Sequence, residues 1–538
     1  MLLDPVARFP DFRSRNSKVK LLLLLILLIA ACLRFTLVDF FGLSSDEFAT
    51  LMIVSRPSFK SVLQTSLVVP QPLPPLYFLL NKAMVGAFGQ KELGLRFLSA
   101  ICSLGTVYLI FLLGRTLFNS QVAIIGAALC ALNTTQILYA QTARPYALAL
   151  LLSTGSILSF LNWLKKETLL NRFNYVASTS LLLYTHYLFL PLLMIQTLYF
   201  CWCQRFPQPI GYPKRSWRNW LLLQFTVGLT VLPLFWQVST MVRDRSSLDW
   251  VRYKPPTQDI VPFFNPKYLF FSGLISALLC FAKPFRKRFV RLSVDVIDQE
   301  GRKRFISGLM LLLIWYGLPP LLFCILYWFT GINLFVERYL LLMSLPPYLL
   351  IPGAALLVRG HRWGQTFVIV YVLYYGVSAP ILSYVKKGHF SQASPGENQW
   401  REILGALNDS TFQSSRLLFQ SPYIEADQLN FSPNTPLFDY LSAPLRSFYL
   451  HESPRAVQLL PHYWHAAASQ EAFRAGIKAL ILRDREFTLL CDEEFWLEFR
   501  PWLGRELDGR FELRAVEEFR SSNALLKKIR VLQRSSVT

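Results

Sequence analysis

Apolar runs about as long as a bilayer is thick alternate along the chain with short polar stretches, and each predicts a helix that crosses a membrane. The first covers residues 19–38. A long polar loop, 39–75, follows. Its part 47–67 is amphipathic and predicts a helix lying along the membrane surface. The loop ends in Pro70-Gln71-Pro72-Leu73-Pro74-Pro75, where proline density fixes a stiff, extended backbone. Residues 76–88 predict a short apolar helix, interfacial or re-entrant. Spans follow at 97–113, 122–140 and 147–164. The stretch 173–203 is too long for one span and short for two. Basic residues flank it on both sides, so both flanks lie on the same side of the membrane. It predicts a hairpin of two short helices with Thr185-His186-Tyr187 at the tip. Further spans are predicted at 219–240, 263–282, 305–329, 339–358 and 364–384. The sum is about eleven crossings, within two.

From residue 386 charge rises and apolar runs shorten. The chain therefore divides into a polytopic all-α membrane part, 1–385, and a C-terminal extramembrane domain, 386–538, of α/β or α+β class. In that domain residues 400–407 predict a helix and 416–420 a strand. Residues 469–475 predict a helix feeding a strand at 479–482, and 511–519 with 524–532 a closing hairpin. No catalytic motif is found there. The expected work of this domain is packing on the outer face or guiding an acceptor.

Composition agrees with the pattern. Of 538 residues 53% are hydrophobic and 16% charged, with mean hydropathy +0.35. Soluble proteins average about 25% charged residues. The net charge of +22 would suit a nucleic-acid binder, but the basic residues fall in short loops between apolar runs. That is the positive-inside pattern and not a binding stripe. Arg8, Arg13, Arg15, Lys18 and Lys20 precede the first run, which is too long for the core of a secretory signal and lacks a small-residue cleavage site. It reads as a retained span with its N-terminus in the cytoplasm. The stretch 283–304 is strongly basic and expected inside, 241–262 is expected as an outer loop, and the C-terminal domain is expected outside. Arg34, near the outer end of the first span, is expected to snorkel. Of the eight cysteines, only Cys491 lies in the polar tail, and no disulfide or metal spacing is present.

Chemistry enters with Leu43-Ser44-Ser45-Asp46-Glu47-Phe48-Ala49, where two adjacent carboxylates follow the first span. Acids at that depth are costly unless solvated or used. With the predicted topology, Asp46, Glu47, Arg96, Arg144, Tyr146, His186, Arg338 and Tyr339 all stand at outer helix ends. The inner ends carry no comparable group. A carboxylate facing arginines suits a reaction in which the arginines hold a phosphate leaving group. The carboxylate then takes a proton from an incoming hydroxyl or amine. Each residue alone has a plainer role: helix-end charges for the acids, interfacial anchors for the arginines, a buried histidine bonded to backbone for His186.

These pieces, in this order, resemble the GT-C membrane glycosyltransferases of the dolichyl-phosphate-mannose–protein mannosyltransferase type (family 39), which include the bacterial lipid A aminoarabinose transferases. The resemblance rests on Ser45-Asp46-Glu47, Pro74-Pro75-Leu76-Tyr77 and Gly94-Leu95-Arg96-Phe97-Leu98-Ser99-Ala100. It continues through Tyr139-Ala140-Gln141-Thr142-Ala143-Arg144-Pro145-Tyr146, Thr185-His186-Tyr187 and Arg338-Tyr339. It covers residues 20–385, most firmly 40–190. It implies an inverting glycosyltransferase that moves a sugar from a polyprenyl-phosphate carrier to a protein or glycolipid acceptor on the outer face, in a bacterial inner membrane. By the same resemblance Asp46 is the candidate base, with Glu47 as neighbour or alternative. Arg144, His186 and Arg338 line the donor phosphate, and Arg96, Tyr146 and Tyr339 support them. The family often has His or Glu-Lys before the paired prolines, where this chain has Pro72 and Leu73, and Glu where it has Thr142. Both changes remove metal or phosphate ligands, so a divalent metal (Mg or Mn) stays open. Lys82 is a candidate replacement cation. The alternatives are a secondary transporter or lipid flippase, an O-antigen-ligase-like transferase, and a scaffold that has lost activity. Transporters commonly show internal repeats and midplane charges; this chain shows neither.

Overall fold

The computed structural model describes residues 17–69, 73–206, 212–243, 299–331, 334–357, 399–412, 416–428, 436–452, 456–465, 471–507, 511–521 and 523–533. The leucine-rich first run forms α1 (Ser17–Phe35), which exposes Leu21, Leu22, Leu24, Leu25 and Leu28. Arg34 does not snorkel. It is fully buried, and its guanidinium donates to Ser103 Oγ (2.8 Å) and to the carbonyls of Ala131 (2.9 Å) and Cys130 (3.2 Å). The reason lies in the next helices. α5 (Glu92–Leu117) is followed by α6 (Ser120–Leu132) and α7 (Thr134–Ala140), which meet at a 59° bend. The last carbonyls of α6 lack helical partners, and Arg34 supplies them. Asn133 opens α7 by accepting the Gln136 N–H (3.1 Å). The expected single span at 122–140 is thus a broken one.

The loop after α1 forms two helices where one surface helix was expected. α2 (Ser45–Val54) is buried from Glu47 to Val54, while α3 (Phe59–Val68) buries only Val62 and Ser66. Pro57 separates them, and Ser58 caps α3 through the Ser61 N–H (3.1 Å). α4 (Leu76–Phe88) matches the expected short apolar helix. Its turn into α5 is tight: Gly89 has φ +86°, and a Cβ on Gly94 would lie 2.0 Å from the Gly89 carbonyl oxygen.

α8 (Tyr146–Lys165) returns from the 141–145 turn. α9 (Leu169–Leu183) and α10 (Pro191–Arg205) form the expected hairpin, with Thr185, His186 and Tyr187 in its connection. α11 (Trp217–Arg243) and α12 (Gln299–Thr330) follow. The chain then makes two 3₁₀ turns, Glu337–Tyr339 and Leu341–Ser344. Only at Pro347 does it enter α13 (Pro347–Leu357). Adjacent Pro346 and Pro347 delay that helix, since a residue before proline avoids helical angles. Among the described residues five helices are long and apolar enough to cross a membrane, or six if α6 and α7 form one span. The spans expected at 263–282 and 364–384, the outer loop from 244 and the basic stretch to 298 lie outside the described residues. The bundle core is apolar and rich in buried aromatics, Trp163, Trp220 and Trp315 among them.

The C-terminal part holds α14 (Gln399–Leu407), α15 (Pro436–Leu441), α16 (Glu471–Asp484) and α17 (Glu493–Glu506). Its five strands are β1 (Leu417–Gln420), β2 (Val457–Leu460), β3 (Glu486–Asp492), β4 (Phe511–Ser521) and β5 (Ala524–Gln533), in the order β2-β1-β3-β5-β4. β1 pairs parallel with β2 and β3, and β5 pairs antiparallel with β3 and β4. The helix at 400–407, the strand at 416–420 and the closing hairpin stand as expected. Residues 479–482 do not form a strand. They continue α16, whose Ile477 and Ile481 bury one face, and the strand begins after the turn at Arg485 (φ +59°). A short apolar run reads either way by periodicity. A second apolar cluster joins this domain to the membrane part: Phe48 of α2 meets Trp400 edge-on at 5.8 Å and Tyr449 at 6.1 Å.

Candidate functional site

The two adjacent acids have opposite environments. On α2 their side chains point about 100° apart, so one faces inward and the other does not. The Glu47 side chain is 3% exposed and that of Asp46 40%. Glu47 forms a two-pronged pair with Arg96, Nε to Oε1 and Nη2 to Oε2, both 2.7 Å. It also accepts the Ala143 N–H (2.7 Å) and the Ser44 N–H (3.0 Å), the second being half of a capping box. Burial alone would raise the Glu47 carboxyl. The charge and hydrogen bonds of Arg96 outweigh it and hold it below the ordinary glutamate range. Arg96 is equally committed, donating to the carbonyls of Val38 (2.8 Å), Phe41 and Gly42 (both 2.9 Å). This pair ties α2, α5, the α7–α8 turn and the 38–44 segment together.

Asp46 is left beside cations. Arg338 Nη1 lies 3.2 Å from its Oδ2, and Arg144 Nη1 donates to its backbone carbonyl (3.2 Å). Arg144 is 8% exposed, and its buried Nε has no hydrogen-bond partner among the described residues. Arg338 sits over the Tyr339 ring at 5.4 Å. His186 is buried, its ring 5.6 Å from that of Tyr146. Its Nδ1 accepts the Leu188 N–H (3.3 Å), so the ring proton belongs on Nε2. Burial first, then the charges of Arg144 and Arg338, push the His186 pKa down to about 3, so the imidazole is neutral. Asp46, Arg144, Tyr146, His186, Arg338 and Tyr339 are therefore brought together. Lys82 ends elsewhere, on the carbonyl of Arg56.

The C-terminal domain covers this group with residues the sequence reading did not single out. The Tyr423 hydroxyl donates to the Ser45 carbonyl (2.8 Å), and its ring stacks on Tyr440 at 4.4 Å. Burial first, with the negative charges of Asp46 and Glu425 adding to it, raises the Tyr423 hydroxyl well above its ordinary value. It is a constant donor. No signal in the sequence marks these residues, because their place depends on docking between distant segments.

Among the described residues no group of three or more His, Cys, Asp or Glu side chains is placed to hold a metal ion. Glu47 is committed to Arg96, and Asp46 faces guanidinium groups. This donor set does not fit a divalent metal.

Residues 72–212 match the family model described as dolichyl-phosphate-mannose-protein mannosyltransferase. In fold the chain is similar to ArnT from Cupriavidus metallidurans bound to undecaprenyl phosphate, with TM-score 0.53 and 12% identity over 96% of this chain and 98% of that one. The apo state of the same protein gives TM-score 0.53 and 13% identity over 95% and 98%. The apo oligosaccharyltransferase of Archaeoglobus fulgidus gives 0.49 and 12% over 90% and 70%. No curated protein matches the chain by sequence. The fold is the GT-C glycosyltransferase fold, with a small C-terminal sheet domain, as the sequence resemblance implied.

Proposed function

We propose, from the GT-C fold and the matched segment 72–212, that this protein transfers a sugar from a polyprenyl-phosphate carrier to an acceptor at the membrane face, with inversion. The observation that carries this reading is the Asp46 carboxylate, 40% exposed and paired with Arg338 (3.2 Å), with Arg144 bonded to the backbone carbonyl of the same residue. ArnT has been crystallised with undecaprenyl phosphate, and the cations beside Asp46 suit such a carrier here. Arg338 and Arg144 would hold the phosphate, the Nε–H of Arg144 supplying a buried donor. Neutral His186 would give an Nε2–H to a phosphate oxygen. Tyr146 and Tyr339 hold these groups in place.

In this mechanism the acceptor hydroxyl or amine attacks the anomeric carbon from the side opposite the phosphate. The carbon–oxygen bond to phosphate breaks, its electron pair stays on the phosphate oxygen, and the acceptor proton passes to Asp46. Positive charge at the phosphate favours the transition state, where leaving-group charge develops. We assign the base role to Asp46 over Glu47, whose lone pairs are occupied. The outer face belongs to this proposal through the positive-inside pattern, a bacterial inner membrane through the resemblance to the bacterial aminoarabinose transferases, and the division near residue 386 through the rise in charge there.

The test is release of free polyprenyl phosphate, followed by mass spectrometry. Protein in lipid is given a panel of carrier-linked sugars and a membrane extract as acceptor source. Asp46→Asn is expected to lower release by about 10²–10⁴-fold. Equal release by parent and variant would remove Asp46 from the mechanism. No release from any donor would favour the transporter reading.

A further inference from the structure

The segment that delivers Asp46 is held at almost every residue, and from two sides. From the membrane part, Arg96 takes the carbonyls of Val38, Phe41 and Gly42. From the C-terminal domain, Arg401 donates to the carbonyls of Asp39 and of Phe40 (2.9 Å). Tyr449 Oη accepts the Leu43 N–H (2.8 Å) and donates to Glu92 (2.8 Å). Tyr423 takes the Ser45 carbonyl, one residue before the acid. Tyr423 is 6% exposed and backed by Tyr440 at 5%, so its ring is closed to a ligand. Its polar contact is with the backbone of the Asp46 turn.

We propose that the C-terminal domain sets the geometry of the reaction, and that Tyr423 is a positioning residue acting through Asp46. The inference rests on the glycosyl-transfer reading above. In physical terms the domain fixes the first turn of α2, so the carboxylate meets the acceptor proton without first ordering its own backbone. Orientation of this kind carries a large share of a barrier, and a misplacement of about 1 Å costs as much as 10²-fold. The Tyr423 hydroxyl is spent on the Ser45 carbonyl and its ring on Tyr440, so its loss is expected to act on turnover and to leave donor binding alone.

The test uses Tyr423→Phe in the full chain in lipid, which keeps the ring stack and removes one hydrogen bond. Amide exchange of the peptide spanning 43–49 is read beside kcat and KM for the carrier-linked sugar. The same is done for Asp46→Asn and for the double variant. The expected result is exchange faster by about two- to tenfold, the range one hydrogen bond supports. kcat falls by a similar factor and KM is unchanged. The double variant is no slower than Asp46→Asn alone. Unchanged exchange overturns the proposal whatever the activity. Equal losses in both backgrounds also overturn it, since they mark general destabilisation, and so does a raised KM, which marks a donor contact. Faster exchange in a protein with no Asp46-dependent release sinks the enzyme reading and leaves the clamp standing.

Discussion

Glu47 and Arg96 form a buried ion pair in which every strong contact is matched: the carboxylate accepts from Arg96, Ser44 and Ala143, and the guanidinium reaches three further carbonyls. Removing one partner leaves the other buried and unpaired, a loss of about 3–5 kcal/mol. Glu47→Gln should therefore lower the thermal midpoint sharply, whereas a surface exchange such as Lys60→Gln should leave it in place. The pair also has a pH signature. The Glu47 carboxyl is held below its ordinary value in the folded protein. Its contribution is complete above the ordinary glutamate value and is lost as pH falls through the lower folded one. Acid unfolding of the parent should thus be steeper than that of Glu47→Gln, measured by midpoints across the acid range. A sequence shows Asp46 and Glu47 as a pair of like residues. Which one is committed and which is open depends on α5 and the α7–α8 turn meeting α2, and no local pattern encodes that meeting.

At the scale of elements, the apolar helices were legible because hydrophobic length is a strong signal. Leu76–Phe88 and the hairpin around His186 stand where the pattern put them. Breaks were less legible. The run 122–140 stays apolar through Asn133, so hydropathy gives no warning of the bend that Arg34 and the Asn133 cap stabilise. The stretch 47–67 carries an amphipathic pattern, yet α2 is buried from Glu47 to Val54, in part because a distant domain lies over it. In the sheet domain the short strands β2 and β3 passed unnoticed, and part of α16 read as strand. Short apolar runs between polar turns are ambiguous in both directions. One turn can be tested directly. At Gly94 a side chain would strike the Gly89 carbonyl, while at Gly89 there is open space but a left-handed backbone. Gly94→Ala should cost about 1–3 kcal/mol through forced movement of α4 against α5. Gly89→Ala should cost about 1–3 kcal/mol from backbone strain alone, since φ +86° with ψ 161° is a conformation open essentially to glycine. Thermal unfolding of both variants checks the two costs.

For the whole molecule, the gathering of arginines and tyrosines around Asp46 was legible from the predicted topology and the family resemblance, and its roof was not. Tyr423, Tyr440 and Tyr449 lie in a part of the chain with no recognisable motif. They reach the site only through the fold of the sheet domain. That arrangement has a consequence for how the protein is made. The partners that the sheet domain lends to residues 39–45 are between 361 and 406 positions further along the chain. During synthesis the acid enters the membrane early and waits while most of the polypeptide is still to come. A chain ended at residue 398 should leave the amides of 43–49 exchanging faster than in the full chain, with the Glu47–Arg96 pair still in place. Because chains emerge N-terminal end first, the segment 39–45 gains its full set of partners only once the sheet domain has been made. A product that stops before the sheet domain would carry Asp46 on a segment held from the membrane side alone, by Arg96 and the α7–α8 turn.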